Sequence, residues 1–248
     1  MVTDEVWKLP AIVDRFLSYR AALPLAEEQI GVMMAIIKTR TQPVEKFLDL
    51  GCGDGILGAA ILGAYPNTRG VFVDFSEPML EQAREQLKDY ASQLSFENLD
   101  YGDPDWVTSL QKETPFDVIV SGYSIHHQPD ARKRSIYAEI FSLLKPGGWF
   151  INIEHIAASA RITIDLFNNH VIDGRYAIEK ANGGNKTRQE VADIFMNRPD
   201  KDANILLPVE TQCNWLREIG YEEVDSYFRV YELAVFGGCR PNNFMERK

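Results

Sequence analysis

The sequence predicts an α/β protein built on a doubly wound, seven-stranded, mostly parallel sheet, with a C-terminal antiparallel hairpin and a helical lid insertion. Three observations predict it. Short apolar runs alternate with helical stretches from Val44 to Glu154, residues 157–207 turn into more polar helical sequence, and two strand-like runs near the end are separated by almost nothing.

The elements follow in order. Residues 11–40 place Ile12, Val13, Phe16 and Leu17, then Ile30, Met33, Met34 and Ile37, at helical spacing on either side of Pro24, which predicts two leading helices. VEKFLDL, GVFVDF, LSFENL, FDVIVS and GWFINIE read as strands; ILGAAILGAY, EPMLEQAREQLKDYA and DARKRSIYAEIFSLL read as the helices between them. Right-handed crossovers of this length give parallel strands covered on both faces. Beyond Glu154 the lid is interrupted at Gly183-Gly184 and Pro199, after which VETQCNWLREIG is a helix and YEEVDSYFRV and YELAVFGGC pair as a hairpin. The result is a single domain in four segments: leading helices 1–43, a ligand-binding core 44–156, the lid 157–207, and a closing helix and hairpin 208–248.

Composition narrows the function. With 45% hydrophobic residues over 248 positions the chain can bury a core, and a net charge of -10 argues against a broad nucleic-acid or anionic-membrane footprint. A small-molecule partner is expected, and a homo-oligomer is compatible with the sequence. Cys52, Cys213 and Cys239 form no CxxC pair, which suits a reducing, cytoplasmic protein without structural zinc. The N-terminal residues lack a signal-peptide pattern, and no run approaches the roughly 20 apolar residues that cross a bilayer.

The chemistry centres on FLDLGCGDG. A buried strand runs into Gly51, Gly53 and Gly55, with Cys52 and Asp54 between them and a helix expected from Ile56. Such a turn lets backbone N–H groups approach a ligand at the carboxyl ends of the strands. The spacing is GxGxG, whereas a dinucleotide turn is GxGxxG, and position 56 is Ile. Asp49 and Asp54 would repel a diphosphate but attract a sulfonium and an ammonium, which favours S-adenosylmethionine over NAD. Asp74, 25 positions beyond Asp49, ends the second strand, where an acid can accept both ribose hydroxyls; Phe75 and Met79 are placed to pack on the nucleoside or in the core. After the third strand Asp100 is the candidate for the adenine amino group, with Tyr101 flanking the ring. Asp103 is the alternative, also suited to cap a helix beginning near Pro104.

FLDLGCGDG, VFVDFS, the Asp100 segment, FDVIVSGYSIHH and LLKPGGWFINIEH, in this order over about residues 45–155, resemble the successive motifs of class I S-adenosylmethionine-dependent methyltransferases. The resemblance implies that Asp49 and Gly51 face the methionine part, Asp74 the ribose and Asp100 with Tyr101 the adenine, with Ser121 and Gly122 lining the cofactor. The flanking regions are similar in layout to small-molecule methyltransferases and to the carboxy-S-adenosylmethionine synthase of tRNA wobble-uridine modification. In such enzymes a Tyr or Arg of the leading helices approaches the cofactor carboxylate, so the likeness implies Tyr19 and Arg20.

Methyl transfer needs acceptor and donor held in line and dry, and a base only where the acceptor arrives protonated. Tyr123, Ser124, His126 and His127 leave the fourth strand at the expected methyl position, and Glu154 with His155 leaves the fifth. His126, His127, Glu154 and His155 are the catalytic candidates; a structural role for either adjacent histidine is the alternative, since on a strand two neighbours point to opposite faces. Their usual strand-end polarity explains them without a metal. In the lid, Arg175 or Arg198 would turn inward for an acidic acceptor. The reading is methyl transfer to a small-molecule acceptor; unusual chemistry of the carboxy-S-adenosylmethionine type and a non-catalytic binding regulator are the alternatives.

Overall fold

The structure, a computed structural model, describes residues 4–242, so the outermost residues of the 1–43 and 208–248 segments lie outside it. A 3-10 turn (Asp4–Lys8) leads into α1 (Pro10–Tyr19), a second 3-10 turn (Arg20–Ala22) and α2 (Ala26–Lys38). The alternating core follows as β1 (Lys46–Leu50), α3 (Ile56–Ala64), β2 (Arg69–Asp74), α4 (Glu77–Gln86), β3 (Leu94–Asn98), α5 (Trp106–Ser109), β4 (Phe116–Gly122), α6 (Asp130–Leu143) and β5 (Leu144–His155). The lid holds α7 (Arg161–Ala181) and α8 (Arg188–Met196), and α9 (Val209–Ile219), β6 (Glu222–Val230) and β7 (Leu233–Cys239) complete the chain.

The sheet order is β3-β2-β1-β4-β5-β7-β6, with β7 antiparallel to both its neighbours, β5 and β6, and every other pair parallel. The order reverses between β1 and β4, and a crevice opens there at the carboxyl ends of the strands. Strand alternation divides the core. Leu48, Leu50, Val71, Val73 and Ile119 pack beneath α6 and α9, while Phe47, Phe72, Val118 and Val120 pack beneath α2 and α3. Local sequence sets the helix starts: Pro10 begins α1, Ser76 accepts from the Met79 N–H to cap α4, and Thr187 with Glu190 forms a capping box on α8.

Two expectations shift. β5 begins at Leu144, ahead of the GWFINIE run, because Leu144 pairs with Phe116 and pairing resumes only at Trp149 with Val118, past an irregular stretch at Gly147. The helix expected near Pro104 is the single turn α5, and Asp103 accepts from the Asp105 N–H in the loop before it.

The lid is anchored at both ends of its packing face. Phe167, Val171, Ile172, Ala192 and Phe195 cluster with Leu233 of β7. Gly174 of α7 lies so close to the Arg20–Ala22 turn that a Cβ there would stand 3.0 Å from the Ala22 Cα.

At the amino ends of the central strands, Asp117 near the start of β4 ties three segments together. Its Oδ1 accepts from Arg40 (3.0 Å), and its Oδ2 accepts from the Glu45 and Lys46 N–H groups and from Lys145 (each 3.0 Å). The Arg40 and Asp117 side chains are only 5% and 4% exposed, so removing one leaves the other's charge buried without its partner. Asp117→Ala is expected to destabilise the fold by about 3–5 kcal/mol in urea unfolding.

Candidate active site

The glycine turn is a backbone necessity. Gly51, Gly53 and Gly55 take φ values of 65°, 54° and 81°, and a Cβ on Gly51 would stand 1.9 Å from the Ser124 Oγ. The turn is pinned to β2: the Gly51 and Cys52 N–H groups donate to the Val73 carbonyl, and the Gly53 N–H donates to Asp74 Oδ2 at 2.8 Å. Asp74 Oδ1 accepts from the Ser76 N–H at 2.9 Å, and burial raises this carboxyl to about 6.

Over the turn lies a cavity bordered by Arg20, Asp49, Gly51, Cys52, Gly53, Asp54, Gly122 and Tyr123. Asp49 Oδ2 accepts from the Gly58 N–H, but Oδ1 is buried with no partner, and burial followed by the charges of Asp54 and Asp74 pushes the carboxyl upward. A cation in the cavity would satisfy that oxygen and relieve the crowding of three acids. Arg20 grips both oxygens of Asp54 at 2.6 and 2.5 Å. A neighbouring hollow reaches from Gly51 and Gly53 to Asp74, Phe75 and Met79, and beyond Gly53 the first atom a Cβ would meet is the Met79 sulfur at 3.9 Å. Acids, an open oxygen and a small-residue cradle fit S-adenosylmethionine, whose sulfonium and ammonium are cationic and whose ribose donates hydroxyls.

Four cofactor expectations do not reach these walls. Ser121 is fully buried and donates its hydroxyl to the Leu50 carbonyl at 2.7 Å, joining β4 to β1. Asp100 is exposed and accepts from the Gly102 N–H in a local turn, while Tyr101 is buried behind the glycine turn with its hydroxyl 2.6 Å from Ser124 Oγ. Tyr19 lies under the Arg175 guanidinium, 4.8 Å from its ring centre, so only Arg20 of that pair borders the cavity.

A second, smaller cavity lies under the lid and shares Phe16, Leu23 and Tyr123 with the first. His126, His127 and His155 all border it. The two adjacent histidines do so because residues 125–127 form a 3-10 turn, whose neighbours do not alternate between faces as on a strand; their rings stand 4.0 Å apart. Glu154, by contrast, is wholly buried behind the wall. It accepts from the His126 N–H (3.0 Å), the His126 Nδ1 (2.6 Å) and the His155 N–H (2.9 Å), and burial raises it to about 7 while pushing His126 down. Nε2 of His126 meets Asn204 at 3.1 Å, so both its nitrogens are engaged. His127 has Nδ1 on the Ala203 carbonyl, and burial lowers its ring to about 3. Among the described residues no group of three or more His, Cys, Asp or Glu is arranged to hold a metal ion.

Sequence reasoning missed Trp7, Phe16 and Asn204 as cavity residues, and took Tyr123 only as a neighbour of the histidines. Tyr123 stands at the junction with φ 50°, a left-handed backbone that costs roughly 1–3 kcal/mol in a non-glycine residue, and its hydroxyl donates to the buried Gln29. Glycine spacing announces a turn; nothing in SGYSIHHQ announces this one. Arg188 is exposed and paired with Asp173, whereas Arg175 and Arg198 both face the second cavity.

Glu154→Ala would strip an acceptor from three donors at once, and is expected to cost about 3 kcal/mol or more in stability. Glu154→Gln, which keeps one acceptor oxygen, should cost less; denaturant unfolding of the two variants compares them.

A family model described as a methyltransferase domain matches residues 48–150. The carboxy-S-adenosyl-L-methionine synthase of Actinobacillus succinogenes is 31% identical over 77% of this chain and 75% of its own length. Among solved structures, an O-methyltransferase family protein from Burkholderia thailandensis aligns at TM-score 0.59 and 14% identity over 88% of this chain and 59% of that one. PigF, solved with SAH, aligns at TM-score 0.59 and 17% identity over 95% of this chain and 61% of that one. The chain thus spans about three fifths of the length of these two solved proteins and shares their fold. The glycine turn, the sheet order and these relatives agree: the chain belongs to the class I S-adenosylmethionine-dependent methyltransferase family, and S-adenosylmethionine is its cofactor.

Proposed function

We propose that the protein moves the methyl group of S-adenosylmethionine onto a small-molecule acceptor held under the lid, by in-line displacement. The observation that carries this reading is the wall common to the two cavities: Phe16 and Tyr123 border both, so occupants of the two meet side by side. When bound, the sulfonium supplies a methyl carbon already activated for attack.

The chain's own residues then hold, orient and dry the reactants. Asp49, through its open Oδ1, and Asp54 attract the cationic end, while Arg20 is within reach of the carboxylate. Asp74 accepts from the ribose hydroxyls, and Phe75 and Met79 lie against the nucleoside. Trp7, Phe16 and Phe167 exclude water from the meeting point. With its Nδ1–H donating to Ala203, His127 offers Nε2 as an acceptor that stays neutral, suited to orienting an acceptor hydroxyl or amine. His155 holds Nε2 3.8 Å from Glu232, a carboxylate able to share a proton released by the acceptor. His126 and Glu154 act as the support that fixes both rings. The free thiols of Cys52, Cys213 and Cys239 suit a reducing, cytoplasmic setting, and no helix among the described residues is long and apolar enough to cross a membrane.

The carboxy-S-adenosylmethionine synthase relatives favour a second reading, in which the cofactor itself is remodelled. Radiolabelled methyl distinguishes the two. Label passing from the sulfonium to a metabolite supports methyl transfer; label retained in a sulfonium product heavier by a carboxyl group supports the second reading.

Calorimetry should find micromolar or tighter binding of S-adenosylmethionine and S-adenosylhomocysteine and none of NADH. Because Asp74 titrates near 6 and only its ionised form accepts with both oxygens, affinity is expected to fall as pH drops through about 6. Asp74→Asn should weaken binding about ten- to a hundredfold at neutral pH and remove that pH dependence. Undiminished binding in this variant would contradict the ribose assignment.

A further inference from the structure

Arg175 is a cation without an ion pair of its own, although Asp200 lies near enough to attract it. Its Nε is buried and unpartnered, and among the described residues its guanidinium makes no hydrogen bond or ion pair. The aromatic rings of Tyr19 and Phe195, 4.8 and 4.9 Å from its central carbon, interact with the guanidinium, but rings of this kind leave its edge N–H donors unmet. Its neighbours intensify the demand. Arg15 and Arg198 both spend their charge on Asp200, at 2.5 and 3.1 Å, and Arg198 also donates to the Phe195 carbonyl. Three guanidiniums therefore surround one carboxylate, and burial together with the repulsion of Arg198 lowers Arg175 to about 10. A buried donor without an acceptor is rare in folded proteins, and this one belongs to a side chain that borders the lid cavity.

We propose that the acceptor is a carboxylic acid, its carboxylate held by the Arg175 fork and its apolar body lying against Phe16, Phe167 and Leu233 toward the junction at Tyr123. A planar monoanion matches one unpaired guanidinium, because two parallel N–H donors meet two oxygens. The acid end is then fixed by the lid, and the atom to be methylated is whichever part of the body reaches the common wall. This deepens the methyl-transfer reading and rests on it.

The test uses the full chain with and without saturating S-adenosylhomocysteine, and ligand-observed NMR with benzoate, phenylacetate and hexanoate against their primary amides, plus phenyl phosphate. Acids are expected to bind and amides not, and Arg175→Gln is expected to weaken the acids about tenfold or more. S-adenosylhomocysteine affinity should be unchanged in that variant, which also reports that it folds. Arg175→Lys, which keeps charge but lacks the fork, should fall between. Arg188→Gln, on the exposed side of the lid, should behave as the parent chain. The proposal is overturned by equal binding of acids and amides, by no binding of any acid, by acids that bind Arg175→Gln undiminished, or by phenyl phosphate binding at least tenfold tighter than the acids. Failure of the cofactor reading would instead show as no binding of S-adenosylhomocysteine, a separate signal.

Discussion

The hydrogen bonds that Asp74 accepts from Gly53 and Ser76 organise the cofactor side of this molecule. One carboxylate at the tip of β2 holds the glycine turn from one side and the start of α4 from the other. The turn can stay in its left-handed conformation because its N–H groups are met by Asp74 and by the Val73 carbonyl. The hollow above it is then shaped by what those bonds hold back. Asp74 combines two demands, since the oxygens that brace the loop are also those a ribose would meet, and burial raises the carboxyl while the hydrogen bonds that brace the loop pull it back down.

Most of the cofactor half was legible in the sequence because its determinants are local. FLDLGCGDG encodes a buried strand, a turn that only glycine can make and the acids beside it within nine residues. Alternating apolar runs then fix the parallel strands, and the two-residue link at Tyr231–Glu232 fixes the hairpin. The expected cofactor residues that stand away from the cavity walls do so for a different physical reason. Ser121, Asp100 and Tyr101 sit at strand ends where polar side chains serve either a ligand or the neighbouring backbone, and sequence position does not tell these uses apart. The same ambiguity applies to Glu154, which accepts from His126 and from the His155 N–H one residue from the cavity wall.

The cavity under the lid was less legible because it is assembled from distant segments. Trp7 and Phe16 come from the leading residues, His127 from a 3-10 turn after β4, and Arg175, Arg198 and Asn204 from the lid region. Helical periodicity could identify α7 as a lid helix, but which of its faces turns inward depends on packing against Leu233 and Ala22. The electrostatic division is sharper than composition suggested. A chain of net charge -10 concentrates acids under the cofactor cavity and guanidiniums under the lid.

The close approach of Gly174 to Ala22 sets the spacing of two arginines. The Arg20–Ala22 turn carries the arginine at the edge of the cofactor cavity, and α7 carries the arginine at the far end of the other cavity. With no room for even a methyl between them, α7 cannot move closer to that turn, so a larger residue at 174 would push the two arginine-bearing segments apart and widen the space between the cavities they border.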